Sequence, residues 1–193
     1  MSTGLRERKK AATRQALHDA AVRLATEHGV ENLTVEAIAD AATVSRRTFS
    51  NYFASKEQAL LHQDRALTAR LVELFRTRPA GESLMTALLR AAEQLATEYT
   101  PDPAREERYR ALRLEPALLP ELVAVYAAAE RGFAEAVRER LPDGPDGPLR
   151  AHVLAATLLA ALRVVGQAAL ERGERNAVDL LRQAISITRE GFG

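Results

Sequence analysis

The sequence of 193 residues contains no cysteine and no tryptophan, and aromatic residues make up only 5% of it. The absence of cysteine excludes disulfides, thiol nucleophiles and thiolate metal sites, and is typical of proteins from a reducing compartment. The first ten residues are polar and basic, so we expect no secretory signal peptide. The apolar run 153–170 is interrupted by Arg163 and Gln167. We therefore expect a cytoplasmic protein without a membrane span.

Charge of one sign does not dominate, because 27 Lys and Arg stand against 26 Asp and Glu, giving a net charge of +1. Two stretches in the first third, 1–14 and 41–56, are nevertheless locally basic. Such clusters are typical of a nucleic-acid surface. For the first stretch, from Arg6 to Arg14, two interpretations remain open: a DNA-contacting arm, or the solvated start of a helix.

Proline is absent before residue 79, and strict polar/apolar alternation is absent throughout, so the apolar spacing predicts an all-α protein. Polar residues able to cap helices precede several of the predicted helices. The predicted N-caps are Thr34, Ser45, Ser55, Asp102 and Asn176. Gly29 is expected to end the first helix, 5–28. Ser45 precedes a short helix, 46–52, and Ser55 begins a long helix that ends before Pro79.

The segment 34–53 predicts two short helices joined by a tight turn, a helix-turn-helix, whose second helix enters the major groove of DNA. The predicted inner face consists of Ile38, Ala39, Val44, Phe49 and Phe53. The predicted outer face consists of Arg46, Arg47, Thr48, Ser50 and Asn51. Arginine is suited to guanine because its planar fork donates to O6 and N7 together. The helix starts at Thr34, Ser45 and Ser55, the last beside Lys56, are expected to accept phosphates.

Five elements in order within residues 11–66 resemble the TetR family of transcriptional regulators. They are Thr34-Val-Glu-Ala-Ile38-Ala39, Val44-Ser45, Thr48-Phe49, Asn51-Tyr52-Phe53 and Lys56-Glu57-Gln58-Ala-Leu60. The resemblance implies a homodimeric, all-helical DNA-binding protein, usually a repressor that a small effector releases from its operator. It also implies that Lys56 and Tyr52 contact phosphates while Arg46, Arg47 and Thr48 face bases.

One residue departs from the family pattern in the turn of the predicted motif. The family usually has glycine where Thr43 stands. A β-branched residue at positive φ is strained, so the sequence leaves open whether this turn keeps the usual backbone. The predicted organisation is a helix-turn-helix domain over 1–54, extending into the fourth helix over 55–78, and a helical effector-binding and dimerisation domain over 79–193.

The C-terminal part contains no P-loop, dinucleotide-binding, zinc-protease or serine-hydrolase motif. We therefore expect no enzyme, no cofactor and no metal site, and a small apolar or amphipathic effector as ligand. The candidate pocket residues are Tyr99, Tyr109, Arg113, Tyr126, Arg163 and Gln167. For Arg163, an ion pair across a dimer interface is the favoured alternative to an anionic effector. The stretch 105–141 is similar to family members thought to respond to acyl-coenzyme A.

The segment 149–170 is apolar on more than one side, so it must be covered on both. One side is expected to pack on its own domain and the other on a second subunit, together with the last helix. The predicted interface residues are Leu158, Leu162, Leu181 and Ile185. The competing interpretations are an enzyme with an apolar pocket, which leaves the helix-turn-helix unexplained, and a helical module that binds only protein.

Overall fold

The computed structural model describes residues 3–99, 103–142, 144–172 and 177–191, and within them the chain is helical without any strand. The all-α prediction is confirmed. The helices are α1 (Thr3–His28), α2 (Val35–Ala41), α3 (Arg46–Ser50), α4 (Lys56–Leu60), α5 (His62–Arg76), α6 (Leu84–Glu98), α7 (Pro103–Arg113), a 3-10 turn (Pro116–Leu118), α8 (Leu119–Arg138), α9 (Gly147–Arg172) and α10 (Ala177–Gly191). The predicted caps Asp102 and Asn176 lie outside the described residues.

The local signals of the first third place most helix ends correctly. Gly29 ends α1 at φ +83°, a conformation that costs glycine little. Thr34, Ser45 and Ser55 each accept a hydrogen bond from the amide three residues on, at 3.1, 3.0 and 3.2 Å. One prediction is wrong: the long fourth helix is interrupted at Leu61 (φ −92°, ψ 18°), which separates α4 from α5.

The helices form two compact units, one from residues 1–65 with 101–123 and the other from 66–100 with 124–193. This division differs from the predicted boundary at residue 79. The reason is that Tyr109, Leu112 and Leu118 are buried in the core of the first unit rather than the second. Their partners in that core include Leu17 and Phe49.

The turn between α2 and α3 is fixed by two backbone hydrogen bonds. The N–H of Thr43 donates to Asp40 O at 3.0 Å, and the N–H of Val44 donates to Ala39 O at 2.9 Å. This pattern is the Schellman motif, which places the residue after the helix cap in the left-handed region. Thr43 occupies that position at φ 56°, so the turn keeps the conformation that normally selects glycine.

The core of the second unit is built from α6, α8, α9, α10 and most of α5. The Phe75 and Phe133 rings meet edge to face, 5.3 Å apart between centroids. A Cβ on Gly132 would lie 2.9 Å from a Val72 methyl carbon, so only glycine allows α5 and α8 to approach so closely. The Arg140 guanidinium lies 5.2 Å from the Phe75 ring centroid and donates to carbonyl oxygens of residues 75, 79 and 82.

The structure corrects the predicted dimer-interface residues. Leu158, Leu181 and Ile185 are buried in the core of the second unit, and Leu162 packs against that core. Leu158, Leu181 and Ile185 are covered by their own chain and cannot contact a partner, whereas Leu162 is only partly buried and stays accessible. Exposed apolar side chains follow the opposite side of α9: Leu149, Val153, Ala156, Ala160 and Val164. By length and composition alone, α9 could also cross a membrane. Core helices of soluble proteins often meet the same two criteria.

Thr43→Gly is expected to stabilise the protein, because glycine adopts the left-handed conformation without steric strain. Glycine also loses more conformational entropy on folding, but this loss should offset only part of the strain that is removed. A net gain of about 1 kcal/mol would raise the melting temperature by about 2–4 °C. Circular dichroism melting measures it. Thr43→Val, which keeps the branched Cβ, should give no gain. A lower melting temperature for Thr43→Gly than for wild type would contradict the strain assigned to this residue.

Candidate nucleic-acid interface

The recognition helix α3 begins with two exposed arginines. Arg46 and Arg47 occupy its first turn, where the Ser45 hydroxyl caps the amide of Thr48 at 3.0 Å. The Arg46 guanidinium Nη1 lies 2.8 Å from Oε1 of Glu36 on α2. Helices of this type contact base edges through their N-terminal residues. The first turn of α3 therefore carries the chemistry for reading bases in the major groove.

The other predicted polar residues of the motif are accounted for partly by local hydrogen bonds. The Thr34 oxygen accepts from Ala37 N, and the Ser45 and Thr48 hydroxyl oxygens are 2.9 Å apart. The Ser50 hydroxyl donates to the carbonyl oxygen of Arg46 at 3.2 Å. Asn51 is exposed and ends α3. Thr34, Ser45 and Ser50 therefore contribute first to the geometry of the helices.

Tyr52 is half-buried at the end of the motif, and the Arg14 guanidinium of α1 lies 5.6 Å from its ring centroid. This cation–π contact joins α1 to Tyr52, two residues beyond the end of α3. Phe49 and Phe53 belong to the core of the first unit, and Tyr52 packs against that core. Its ring is thus a packing element, whatever its hydroxyl contacts.

A cleft of about 660 Å³ lies between the start of α1 and α3. Its lining residues are Arg6, Glu7, Lys9, Lys10, Thr13, Thr48, Asn51 and Tyr52. The sequence placed the basic run in the predicted first helix, 5–28, but did not indicate that this helix presents it beside α3. The four charged side chains sum to +2, so the cleft is positively charged and favours an anionic occupant.

The structure gives Lys56 a role other than the phosphate contact that the resemblance implied. Its ammonium Nζ donates to the carbonyl oxygens of Val30 and Leu33, each at 2.9 Å, and to that of Glu31 at 3.4 Å. An ammonium has three N–H donors, and here three backbone carbonyls accept them. Lys56 thus connects the start of α4 to the turn between α1 and α2.

Tyr109 and Arg113, predicted to line an effector pocket, instead belong to a buried network inside the first unit. The Tyr109 hydroxyl donates to the Leu60 carbonyl oxygen at 3.0 Å and to the Asp64 carboxylate. Arg113 Nε lies 2.9 Å from Asp64 Oδ1. Burial and the adjacent Asp64 carboxylate raise the pKa of Tyr109, so the phenol stays protonated. The pocket prediction is wrong for this pair because their polar ends are already bound within the protein.

Two histidines lie next to this network. His18 is buried, with Nδ1 2.9 Å from the Ala59 carbonyl oxygen, and its ring meets those of His62 and Tyr109 edge to face at 5.8 and 5.7 Å between centroids. Burial, reinforced by nearby positive groups including Arg14, lowers the pKa of His62 to about 4. The His62 imidazole is therefore neutral at physiological pH and acts as an aromatic packing group against Phe53.

The remaining predicted pocket residues belong to the second unit. Tyr99 is half-buried at the end of α6, and Tyr126 is half-buried on α8. Arg163 and Gln167 are exposed on α9. Arg163 is therefore accessible to both partners that the sequence offered for it, an effector and a second subunit.

Comparison with known proteins gives matches to both parts of the chain. A profile described as "Bacterial regulatory proteins, tetR family" matches residues 17–62, and one described as "MftR C-terminal domain" matches residues 82–193. The HTH-type transcriptional regulator TcmR of Streptomyces glaucescens is 41% identical over 85 residues. That segment is 44% of this chain and 38% of TcmR, so the chain matches well under half of that protein.

Solved structures resemble nearly the whole chain. FadR of Thermus thermophilus, a TetR-family repressor in complex with lauroyl-CoA, is 25% identical, with a TM-score of 0.55 over 93% of this chain and 95% of FadR. SmeT in complex with triclosan is 21% identical, with a TM-score of 0.55 over 91% and 90%. The latter likeness shows the fold alone. With a C-terminal family profile covering more than half of its residues, this chain belongs to the TetR family of transcriptional regulators.

Proposed function

We propose that this protein is a cytoplasmic repressor that binds a near-palindromic DNA operator as a homodimer and is released by a small effector. The observation that carries the proposal is the recognition helix, which is capped at Ser45 and presents Arg46 and Arg47 beside a cationic cleft. The competing enzymatic interpretation leaves the capped helix-turn-helix of α2 and α3 without a role.

The base contacts are assigned to the first turn of α3. Arg46 and Arg47 are long enough to reach guanine, and Asn51 at the far end of the helix can read adenine or hold a phosphate. Thr48 and Tyr52 line the cleft, where a phosphate would pass. The hydroxyls of Thr34 and Ser45 cap their helices and that of Ser50 donates to the Arg46 carbonyl oxygen, so we assign them no separate DNA contact.

The phosphate contacts are assigned to the cleft rather than to Lys56. Lys9, Lys10 and Arg6 flank the same space as Thr48 and Asn51, so a DNA strand beside the major groove would meet both sets. Of the two interpretations of the basic N-terminal run, this geometry favours the DNA-contacting arm. Lys56 is excluded from the assignment because its donors already bind backbone carbonyls.

The double variant Lys9→Gln/Lys10→Gln should weaken binding to a random-sequence duplex and to a selected operator alike. The slope of log affinity against log salt concentration should become shallower by about one unit for each phosphate that is no longer neutralised, and by up to about four units in a dimer. Binding titrations at several salt concentrations measure the slope.

The matched control is Lys56→Met, which keeps an unbranched chain but removes the donors to three carbonyls. It should lower the melting temperature, because it removes hydrogen bonds from a charged donor to two part-buried carbonyl oxygens, and bonds of this kind contribute about 1.5–3 kcal/mol. Its salt slope should equal that of wild type. A smaller slope for Lys56→Met with an unchanged slope for the double variant would reverse the two assignments.

The dimer contact is assigned to the exposed side of α9. Leu149, Val153, Ala156, Ala160 and Val164 are spaced by three or four residues and therefore follow one side of the helix. Leu149, Val153 and Val164 are 68%, 57% and 55% exposed, which is unusual for such large apolar residues in a row. The alanines between them would allow a partner helix to approach closely. Ile187 of α10, 68% exposed, is a further candidate.

Val153→Glu/Val164→Glu should give monomers that bind the operator weakly, because two recognition helices must reach major grooves about 34–36 Å apart. Light scattering and operator titration measure both effects. Ala96→Glu adds a charge at an exposed position of α6 in the same unit and should leave the dimer intact. A dimeric Val153→Glu/Val164→Glu variant would refute this interface. A wild-type protein that pelleted with lipid vesicles instead would assign α9 to a membrane.

The effector is proposed to be an amphipathic molecule of the acyl-coenzyme A class. The support is the similarity over nearly the full chain to Thermus thermophilus FadR, which is described with lauroyl-CoA. Tyr99, Tyr126, Arg163 and Gln167 remain the candidate contacts in the second unit. Arg163 and Gln167 lie on the side of α9 assigned to the dimer, so an effector held by them would bind beside the partner subunit. A cationic side chain such as Arg163 would suit the phosphates of coenzyme A.

Lauroyl-CoA should raise the melting temperature of the protein and lower its affinity for a selected operator. A coupling of about 1–3 kcal/mol corresponds to a 5- to 150-fold loss of affinity. Fluorescence anisotropy with labelled operator measures it. Coenzyme A and laurate, tested separately, serve as controls for each half of the molecule. If lauroyl-CoA changes neither quantity in a preparation that binds operator, the acyl-coenzyme A assignment is wrong.

A further inference from the structure

An acidic side chain stands next to the first base-contacting residue of the proposed interface. Glu36 lies in the first turn of α2, and its Oε1 is 2.8 Å from Nη1 of Arg46. Both side chains are well exposed, at 55% and 73%. The pair therefore lies on the surface rather than in the core of the unit.

Stability is a poor explanation for this ion pair. Exposed ion pairs contribute little to folding, because solvent screens the charges and two long side chains lose freedom. Glu36 also carries the wrong charge for a surface that approaches phosphates, since like charges repel. A carboxylate at this position thus lowers general affinity for DNA and needs a different physical role.

The geometry of the Arg46 side chain supplies that role. A guanidinium has five N–H donors in one plane, and the contact to Glu36 through Nη1 leaves the others available. Fixing a flexible side chain before binding reduces the entropy lost when it meets its target. A guanidinium held by a carboxylate is also less free to turn toward the nearest phosphate.

The backbone that carries the pair is itself fixed. Thr34 caps the start of α2, the Schellman turn at Thr43 sets the angle to α3, and Ser45 caps α3. The relative position of Glu36 and Arg46 is thus determined by short, capped elements of one compact unit. The contact between Glu36 and Arg46 can therefore fix the direction in which the Arg46 guanidinium points.

We propose that Glu36 is a positioning residue for sequence recognition, which orients Arg46 toward a base and away from the phosphates. The proposal rests on the proposed function, in which Arg46 reads the operator. It assigns Glu36 an effect on base preference that exceeds any effect on affinity.

The test is operator selection from a random DNA library with wild type, Glu36→Gln, Arg46→Ala and the double variant. Glu36→Gln should bind random duplex more tightly than wild type. At one base pair of each half-site, its preference for the wild-type base should fall at least about fivefold. A fivefold change is about the lower end of the discrimination that one bidentate contact provides. Arg46→Ala should lose the same preference, and adding Glu36→Gln to it should remove nothing further at that base pair.

Asp40→Asn is the matched control, because Asp40 is an exposed carboxylate on the same helix. It should increase affinity for random duplex to a similar degree without changing the selected sequence. Base preference is therefore the readout that loss of charge alone does not alter.

Three outcomes would overturn the proposal. If Glu36→Gln and Glu36→Ala, which also removes the acceptor oxygen, both select the wild-type sequence, Glu36 does not position Arg46. If Glu36→Gln changes the sequence while Arg46→Ala does not, Glu36 contacts a base itself, as a carboxylate can with cytosine N4. If wild type selects no sequence at all, the proposed function fails, and this inference with it.

Discussion

The geometry of the DNA-facing unit depends on the turn between α2 and α3. Helix α3 has only five residues, too few to be stable alone, so its direction comes from the elements that hold its start. The bond from Val44 N–H to Ala39 O and the left-handed Thr43 set that direction. They place Phe49 in the core and leave Arg46 outside it. Strain at one threonine is thus the local cost of a defined recognition helix.

Signals confined to a few neighbouring residues allowed much of the fold to be predicted from sequence. Thr34, Ser45 and Ser55 cap the helices that the sequence assigned to them, because a cap depends only on an oxygen and an amide three residues away. The break at Leu61 was missed, since no glycine or proline marks it. Thr43 shows the limit of a local rule. The residue type predicts strain in the left-handed region, and the two backbone hydrogen bonds of the turn hold the residue in that conformation despite the strain.

The predictions that failed concern side chains whose partners are distant in sequence. Lys56 binds carbonyls 23–26 residues away, and Tyr109 binds groups 45 and 49 residues away. A lysine or tyrosine looks the same in sequence whether it meets a phosphate, an effector or its own backbone. Three of the four predicted interface residues, Leu158, Leu181 and Ile185, failed for a related reason. Helix α9 is apolar on several sides, so only the packed structure shows that Leu158 faces inward and Val153 outward.

The cationic residues of the first unit therefore differ in what they bind, and the difference follows their location rather than their residue type. Residues 1–65, the part of the first unit that contains α1 to α4, carry 10 basic and 8 acidic side chains, a small excess for a DNA-binding surface. Of the basic ones, Lys56 is bound to carbonyls and Arg46 to a carboxylate, which lowers the number available to neutralise phosphates. Non-specific affinity scales with phosphates neutralised, whereas discrimination depends on oriented base contacts. A surface with few free cations and a carboxylate beside its first arginine is better suited to discriminating among sequences than to holding DNA tightly.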